Sequence, residues 1–169
     1  VKTEVRIEGL DGVLEMLQKL PAEVASKNGG PVRAALRKGA QVIVSQARTN
    51  LAAAIADPGK TGITETTGLT VKSVIVKRGR PPPSTKGERA VVTVRSVPHP
   101  SGNVFRRRPI KTNDIAFMLE YGTSKQAPTP WLVPAFKAKA QAAIDTTTKE
   151  LLPAIERAVR RYLKKGGSL

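Results

Sequence analysis

AFMLEYGTSKQAPTPWLVPAF, residues Ala116 to Phe136, decides the reading of this chain. A short apolar run, Ile115, Phe117, Met118, Leu119 and Tyr121, is too brief to span a bilayer and reads as a helix. Asn113 or Asp114 can cap its start with a side-chain oxygen. Gly122 can end it by taking positive φ without steric cost. Pro128 and Pro130 hold the following backbone extended. Trp131, the only tryptophan, follows as a large anchor. Pro134 then sits in the first turn of a long helix, where its missing N–H costs little. The stretch is a shaped joint with no reactive group, in which Trp131 and Phe136 are expected to be the anchors.

Working outward, Thr3 to Glu8 alternates as a strand, and Val13 to Leu20 makes one helical face that Pro21 ends. Asn28-Gly29-Gly30-Pro31 turns the chain into a second helix, Val32 to Ala56. Its inward face would hold Leu36, Ala40, Ile43, Ala47, Leu51 and Ile55. Leu69 to Lys77 and Glu88 to Val97 read as strands of a long hairpin with a proline-rich connection, residues 79–87. Residues 98–112 form a second basic loop. The last helix runs from about Trp131 to Lys165, with Pro153 expected to kink it. The expectation is one α+β domain over residues 1–169. It has a small, mainly antiparallel sheet packed by two N-terminal helices and one long kinked C-terminal helix. That helix is too long for so small a domain to cover, which points to packing against another copy.

In order and spacing, Glu120-Tyr121-Gly122-Thr123, Pro128-x-Pro130-Trp131 and Pro134-Ala135-Phe136 resemble the signature of a phage family. It is the tail-completion or head–tail joining family of long-tailed phages, of the gene-product-ten type of lambdoid siphophages. The resemblance extends to Val5–Pro21, to Arg37–Ala54 and to Thr67-Gly68-Leu69 with Ser73-Val74. Two departures are a Trp at the usual Phe position and a long basic insertion from Arg80 to Arg108. The resemblance implies a late structural protein of the neck or tail top, assembled in the host cytoplasm and kept in the virion. There it would complete the tail and help join it to the DNA-filled head as a ring subunit, with six copies expected. Glu120, Tyr121, Gly122, Thr123, Pro130, Trp131, Pro134 and Phe136 would be its structural joint. Partners would be other copies of itself and neighbouring tail-terminator, tail-tube or head-connector proteins.

Composition bounds the alternatives. At 40% hydrophobic residues the chain can build a core, but with 4% aromatics that core must rely on Ala, Val, Leu and Ile. Without cysteine there is neither a disulfide framework nor a thiolate metal site. No signal-peptide pattern or bilayer-length apolar stretch is found, so a cytoplasm-like compartment and no membrane are expected.

The net charge of +16 calls for an anionic partner or an acidic neighbour. Between Lys72 and Lys111 eleven basic residues face one acid, Glu88. In the two loops, Arg80, Lys86, Arg106, Arg107 and Arg108 are the expected partner contacts. Apolar residues are few there, so ordering would fall to neighbours or to packaged DNA. A second cluster, Arg157, Arg160, Arg161, Lys164 and Lys165, ends the chain. The competing function class is a nonspecific DNA-binding protein, held by phosphate contacts alone.

Catalytic motifs are weak. Ala54 to Thr61 fits a loose phosphate-loop pattern, but a helix precedes it where a strand is required. His99, the only histidine, lies between two prolines with no second ligand beside it. No Gly-x-Ser-x-Gly elbow exists. Glu120 lacks a partner acid. The expectation is a non-enzyme with no cofactor and no metal.

Overall fold

A computed structural model describes residues 30–56, 68–80, 88–100, 104–105 and 108–166. Among them, in chain order, are α1 (Gly30–Ala56), α2 (Leu69–Lys72), β1 (Val74–Gly79), β2 (Arg89–Val94), β3 (Val104–Phe105), β4 (Arg108–Pro109), α3 (Thr112–Tyr121) and α4 (Leu132–Lys164). β1 pairs with β2, and β3 pairs antiparallel with β4. The class is α+β, with an antiparallel two-stranded sheet and a long C-terminal helix. The expected first strand and first helix, residues 3–8 and 13–20, lie outside the described residues, as does the 81–87 connection of the hairpin.

Two elements differ from expectation. Residues 69–72 form one helical turn, not the start of a strand, and β1 begins only at Val74. Gly68 causes this: its φ of 66° puts it in the left-handed region, and the Lys72 N–H bonds back to its carbonyl at 3.0 Å. The 98–112 loop also contains paired backbone. Val104 faces Pro109 and Phe105 faces Arg108. The C-terminal helix continues unbroken through Pro153.

The chain divides into two compact units. Among the described residues, the first comprises 30–39, 78–80, 88–90 and 142–166. Its described core is Ala35, Leu151 and Ile155, with Val32 and Val159 packed against it. Lys38 meets Glu150 at 2.6 Å, and Gly39 lies against Ala143 and Thr147. Rising numbers on α1 meet falling numbers on α4, so these segments run antiparallel. They approach so closely that a Cβ on Gly39 would stand 2.5 Å from the Ala143 carbonyl oxygen. In the same unit Arg78 and Glu88 bridge the hairpin with contacts of 2.6 and 3.1 Å.

Among the described residues, the second unit comprises 40–56, 68–77, 91–100, 104–105 and 108–141. Val44, Ala47, Leu51 and Ile55 of α1 supply one side of its core. Val74, Ile115, Ala116, Leu119, Trp131 and Ala135 supply the rest. Val76, Val92 and Val94 of the hairpin pack against this cluster with one alternating face, as period-two patterning requires. The inward face of α1 matches expectation at Ile43, Ala47, Leu51 and Ile55, while Leu36 and Ala40 are half-buried. The Arg48 guanidinium donates to the Val74 carbonyl through Nη2 at 2.8 Å and Nε at 3.2 Å, pinning β1 to α1. Thr112 is fully buried; its hydroxyl donates to the Arg95 carbonyl and accepts from the Val97 N–H at 3.1 Å.

The Gly39 contact gives a first prediction. Alanine is the better helix former by about 1 kcal/mol, so Gly39→Ala in an open helix would stabilise. Here overpacking should outweigh that gain and leave the variant ~1–3 kcal/mol less stable in urea unfolding. A variant as stable as the parent would disprove the close approach.

Candidate assembly joint

The joint lies wholly in the second unit and is built on the end of α3. Lys111 precedes the helix in extended conformation. Asp114 reaches back to accept the Lys111 backbone N–H at 2.9 Å. Asp114 therefore sits three residues inside the helix, as in a capping box, and is not the N-cap residue itself. Arg108 clamps the same carboxylate with two bonds of 2.8 and 2.9 Å. This hydrogen bonding, Arg108 first and then the Lys111 N–H, holds the Asp114 carboxyl below its ordinary value of 3.8 against the opposing effect of burial.

α3 ends at Gly122, with φ 76° and ψ −177°. Its N–H bonds to the Met118 carbonyl at 2.8 Å. A Cβ there would meet the Gln126 carbonyl oxygen at 2.8 Å and the Pro128 nitrogen at 2.9 Å. Both dihedral and space exclude any larger residue. Thr123 and Gln126 exchange backbone bonds of 2.8 and 3.3 Å across a tight turn. The Thr123 hydroxyl accepts the Lys125 N–H at 3.2 Å, a common hydroxyl-stabilised turn. After Pro128 the Thr129 N–H bonds back to the Leu119 carbonyl at 2.7 Å.

Glu120 then closes the joint. Buried at 7% exposure, its carboxylate accepts the N–H groups of Trp131, Leu132 and Val133 at 2.7, 2.8 and 3.0 Å. These are the orphan donors at the start of α4, and the next residue, Pro134, has none to satisfy. A carboxylate also suits the positive end of the helix dipole. Trp131, 3% exposed, donates its indole N–H to the Ala116 carbonyl at 2.9 Å, and its own carbonyl accepts from Asn50 at 3.1 Å.

Not every expected anchor points inward. Ala135 takes the fully buried position on α4, so Phe136, one residue and about 100° further round, is 45% exposed. Tyr121 is exposed too and meets exposed Phe117 in a tilted ring contact, with centroids 4.6 Å apart. A groove of about 500 Å³ opens beside this pair, lined by Val92, Val94, Met118, Trp131 and Leu132 among others. The sequence did not single out Phe117 as exposed; its i, i+4 spacing to Tyr121 was the available signal.

The expected basic contacts fare differently. Arg80 is exposed at the end of β1, while Lys86, Arg106 and Arg107 lie outside the described residues. Arg108 is bound to Asp114, and its side chain stays 40% exposed. His99 is buried, and among the described residues no group of acidic, histidine or cysteine side chains could hold a metal. Among the described residues no helix is long and apolar enough to cross a membrane. Comparison with family models, with curated proteins and with solved structures finds no match to this chain.

The joint yields three predictions. Glu120→Ala leaves three first-turn N–H groups without their acceptor and should cost ~1–3 kcal/mol or more in denaturant unfolding. Trp131→Ala should cost ~3–5 kcal/mol. The depressed Asp114 carboxyl stabilises the fold above the unfolded-state value, and that contribution is lost as pH falls. Below about pH 4 the unfolded chain takes up the proton first, so stability must drop with pH. Asp114→Asn should therefore flatten the acid limb of the stability profile; an unchanged limb would show that the Arg108 clamp does not operate in solution.

Proposed function

We propose that this protein is a structural subunit of the neck or tail top of a long-tailed phage. It completes the tail and joins it to the DNA-filled head as one member of a ring. The observation that carries the reading is the joint. The residues of the family-like signature act on one another: Glu120 on the amides of Trp131, Leu132 and Val133, and Gly122 on the approach of Gln126 and Pro128. A segment so fixed is suited to holding a surface in a set position. The surface beside it carries Phe117, Tyr121, Val133 and Phe136, all at least 45% exposed. Exposed aromatic and aliphatic side chains around a groove mark protein contact surfaces. Cyclic assembly requires two different complementary patches on each copy, and this groove would serve as one of them.

The partners in this reading are further copies of the chain, six in the ring, and the tail-terminator, tail-tube or head-connector proteins above and below it. The protein then resides in the virion.

The decisive experiment is electron microscopy of particles made without the protein. Separate heads and tails are expected; normal joined particles would overturn the proposal. A surface variant gives a finer test. Phe117→Ser with Tyr121→Ser should leave thermal unfolding within ~1 kcal/mol of the parent, because both side chains are already exposed, yet abolish ring formation in native mass spectrometry. Rings assembled normally by the variant would remove this groove from the interface.

A further inference from the structure

With Arg108 held by Asp114, a dense array of exposed cations lies at the end of α4, in the first compact unit. Arg157, Arg160, Arg161 and Lys164 are all exposed, and Lys165 follows in the turn that ends the helix. At about 100° per residue the five fall within an arc of about 140°. Val159 and Tyr162, both half-buried, lie on the opposite side, and Val159 packs against the Ala35, Leu151 and Ile155 core. Over residues 151–165 these five cations are accompanied by one acid, Glu156. The preceding acid, Glu150, is bridged by Lys38 at 2.6 Å and also feels the charge of Arg157.

Arg157 and Arg161 direct their Nε–H groups to the carbonyls of Pro153 and Arg157, both at 3.1 Å. Each guanidinium is thereby braced along the helix with its terminal amino groups left for another partner. The helix dipole accounts for cations in the last turn, which are Arg161 and Lys164. It does not account for Arg157 and Arg160, which lie further back.

We infer that this face of α4, Arg157, Arg160, Arg161, Lys164 and Lys165, binds the phosphate backbone of duplex DNA without regard to sequence. Its length favours this partner. The five positions span about 12 Å of helix axis, the width of a major groove. A duplex presents a charge about every 1.7 Å, a linear density that such a row can match. A lipid surface fits less well, because a helix lying on a membrane must insert its apolar side, and here Val159 on that side packs on the protein core while Leu163 is the exposed large apolar residue among the cations. The face holds no Asn or Gln to read adenine, so phosphate contacts set the affinity. The inference stands independently of the ring: DNA contact at this face needs neither the groove nor an assembly partner.

The test is fluorescence anisotropy of the full chain with a labelled random-sequence duplex of about 30 base pairs, at salt concentrations from about 50 to about 200 mM. The parent should bind with a log–log salt slope of about −3 to −4. Replacing all five cations by Gln, with folding checked by circular dichroism, should weaken binding about tenfold or more and reduce the slope by two or more. An equal charge change elsewhere, Lys72, Lys77, Arg95, Lys125 and Lys137 to Gln, should cost much less. Equal losses from both variants would show that net charge alone acts and overturn the assignment to this face. So would a parent that ignores duplex DNA, including one that binds only phosphatidylserine vesicles.

Discussion

The buried carboxylate of Glu120 is the interaction on which the second unit depends. A helix of 33 residues begins directly after an extended, proline-held segment, and its first donors have no helical acceptor. Glu120 takes three of them and Pro134 removes the next. Because Glu120 is on α3, satisfying these donors fixes the start of α4 against the end of α3. Trp131 is placed by the same bonds, and its indole N–H returns to α3 at Ala116. Gly122 makes the arrangement possible, since any side chain there would strike the returning backbone at Gln126 and Pro128. One charged group, buried among hydrogen-bond donors, thus orients two helices and the largest side chain of the core.

Much of this was legible in the sequence because local rules and tertiary packing agree there. Gly122, Pro128, Pro130 and Pro134 each restrict the backbone in one way, so their order prescribes a stop, a return and a restart. The inward face of α1 followed from three- and four-residue spacing, and the hairpin from alternation. Legibility failed where a local conformation overrode a residue pattern. The β-rich run at residues 69–72 is helical because a left-handed Gly68 turns the chain first. Phe136 resembled an anchor by type and position, yet Ala135 fills the inward place, and only packing distinguishes two adjacent apolar residues. Glu120 was legible as structural, but its three acceptor bonds were not, since the donors lie eleven to thirteen residues away.

Charge divides along a similar line. In sequence all basic residues of the 72–111 stretch look alike. In the fold, Arg78 is paired across a hairpin, Arg108 is clamped to a helix-capping acid, and on α1 Arg48 ties down a strand through the Val74 carbonyl. Bidentate geometry explains why arginine serves at such places: its planar fork can satisfy two acceptors at once, which an ammonium cannot. Counting cations therefore overstates the charge available to a partner. What remains is set by which side chains lack an internal acid, and that depends on the placement of only a few carboxylates, Glu88, Asp114 and Glu150 among them.

The same scarcity of acids constrains how an assembly could form. Copies of a chain with net charge +16 repel one another, and the repulsion grows at low ionic strength. Association through apolar groove residues such as Phe117 and Tyr121 must overcome that cost, and apolar burial is largely indifferent to moderate salt. A polyanion bound along the α4 face would lower it by neutralising charge at its source. Self-association and phosphate binding would then be thermodynamically linked, each strengthening the other, even though they use different surfaces. Salt would act on them in opposite directions, weakening the phosphate contacts while easing contact between bare copies.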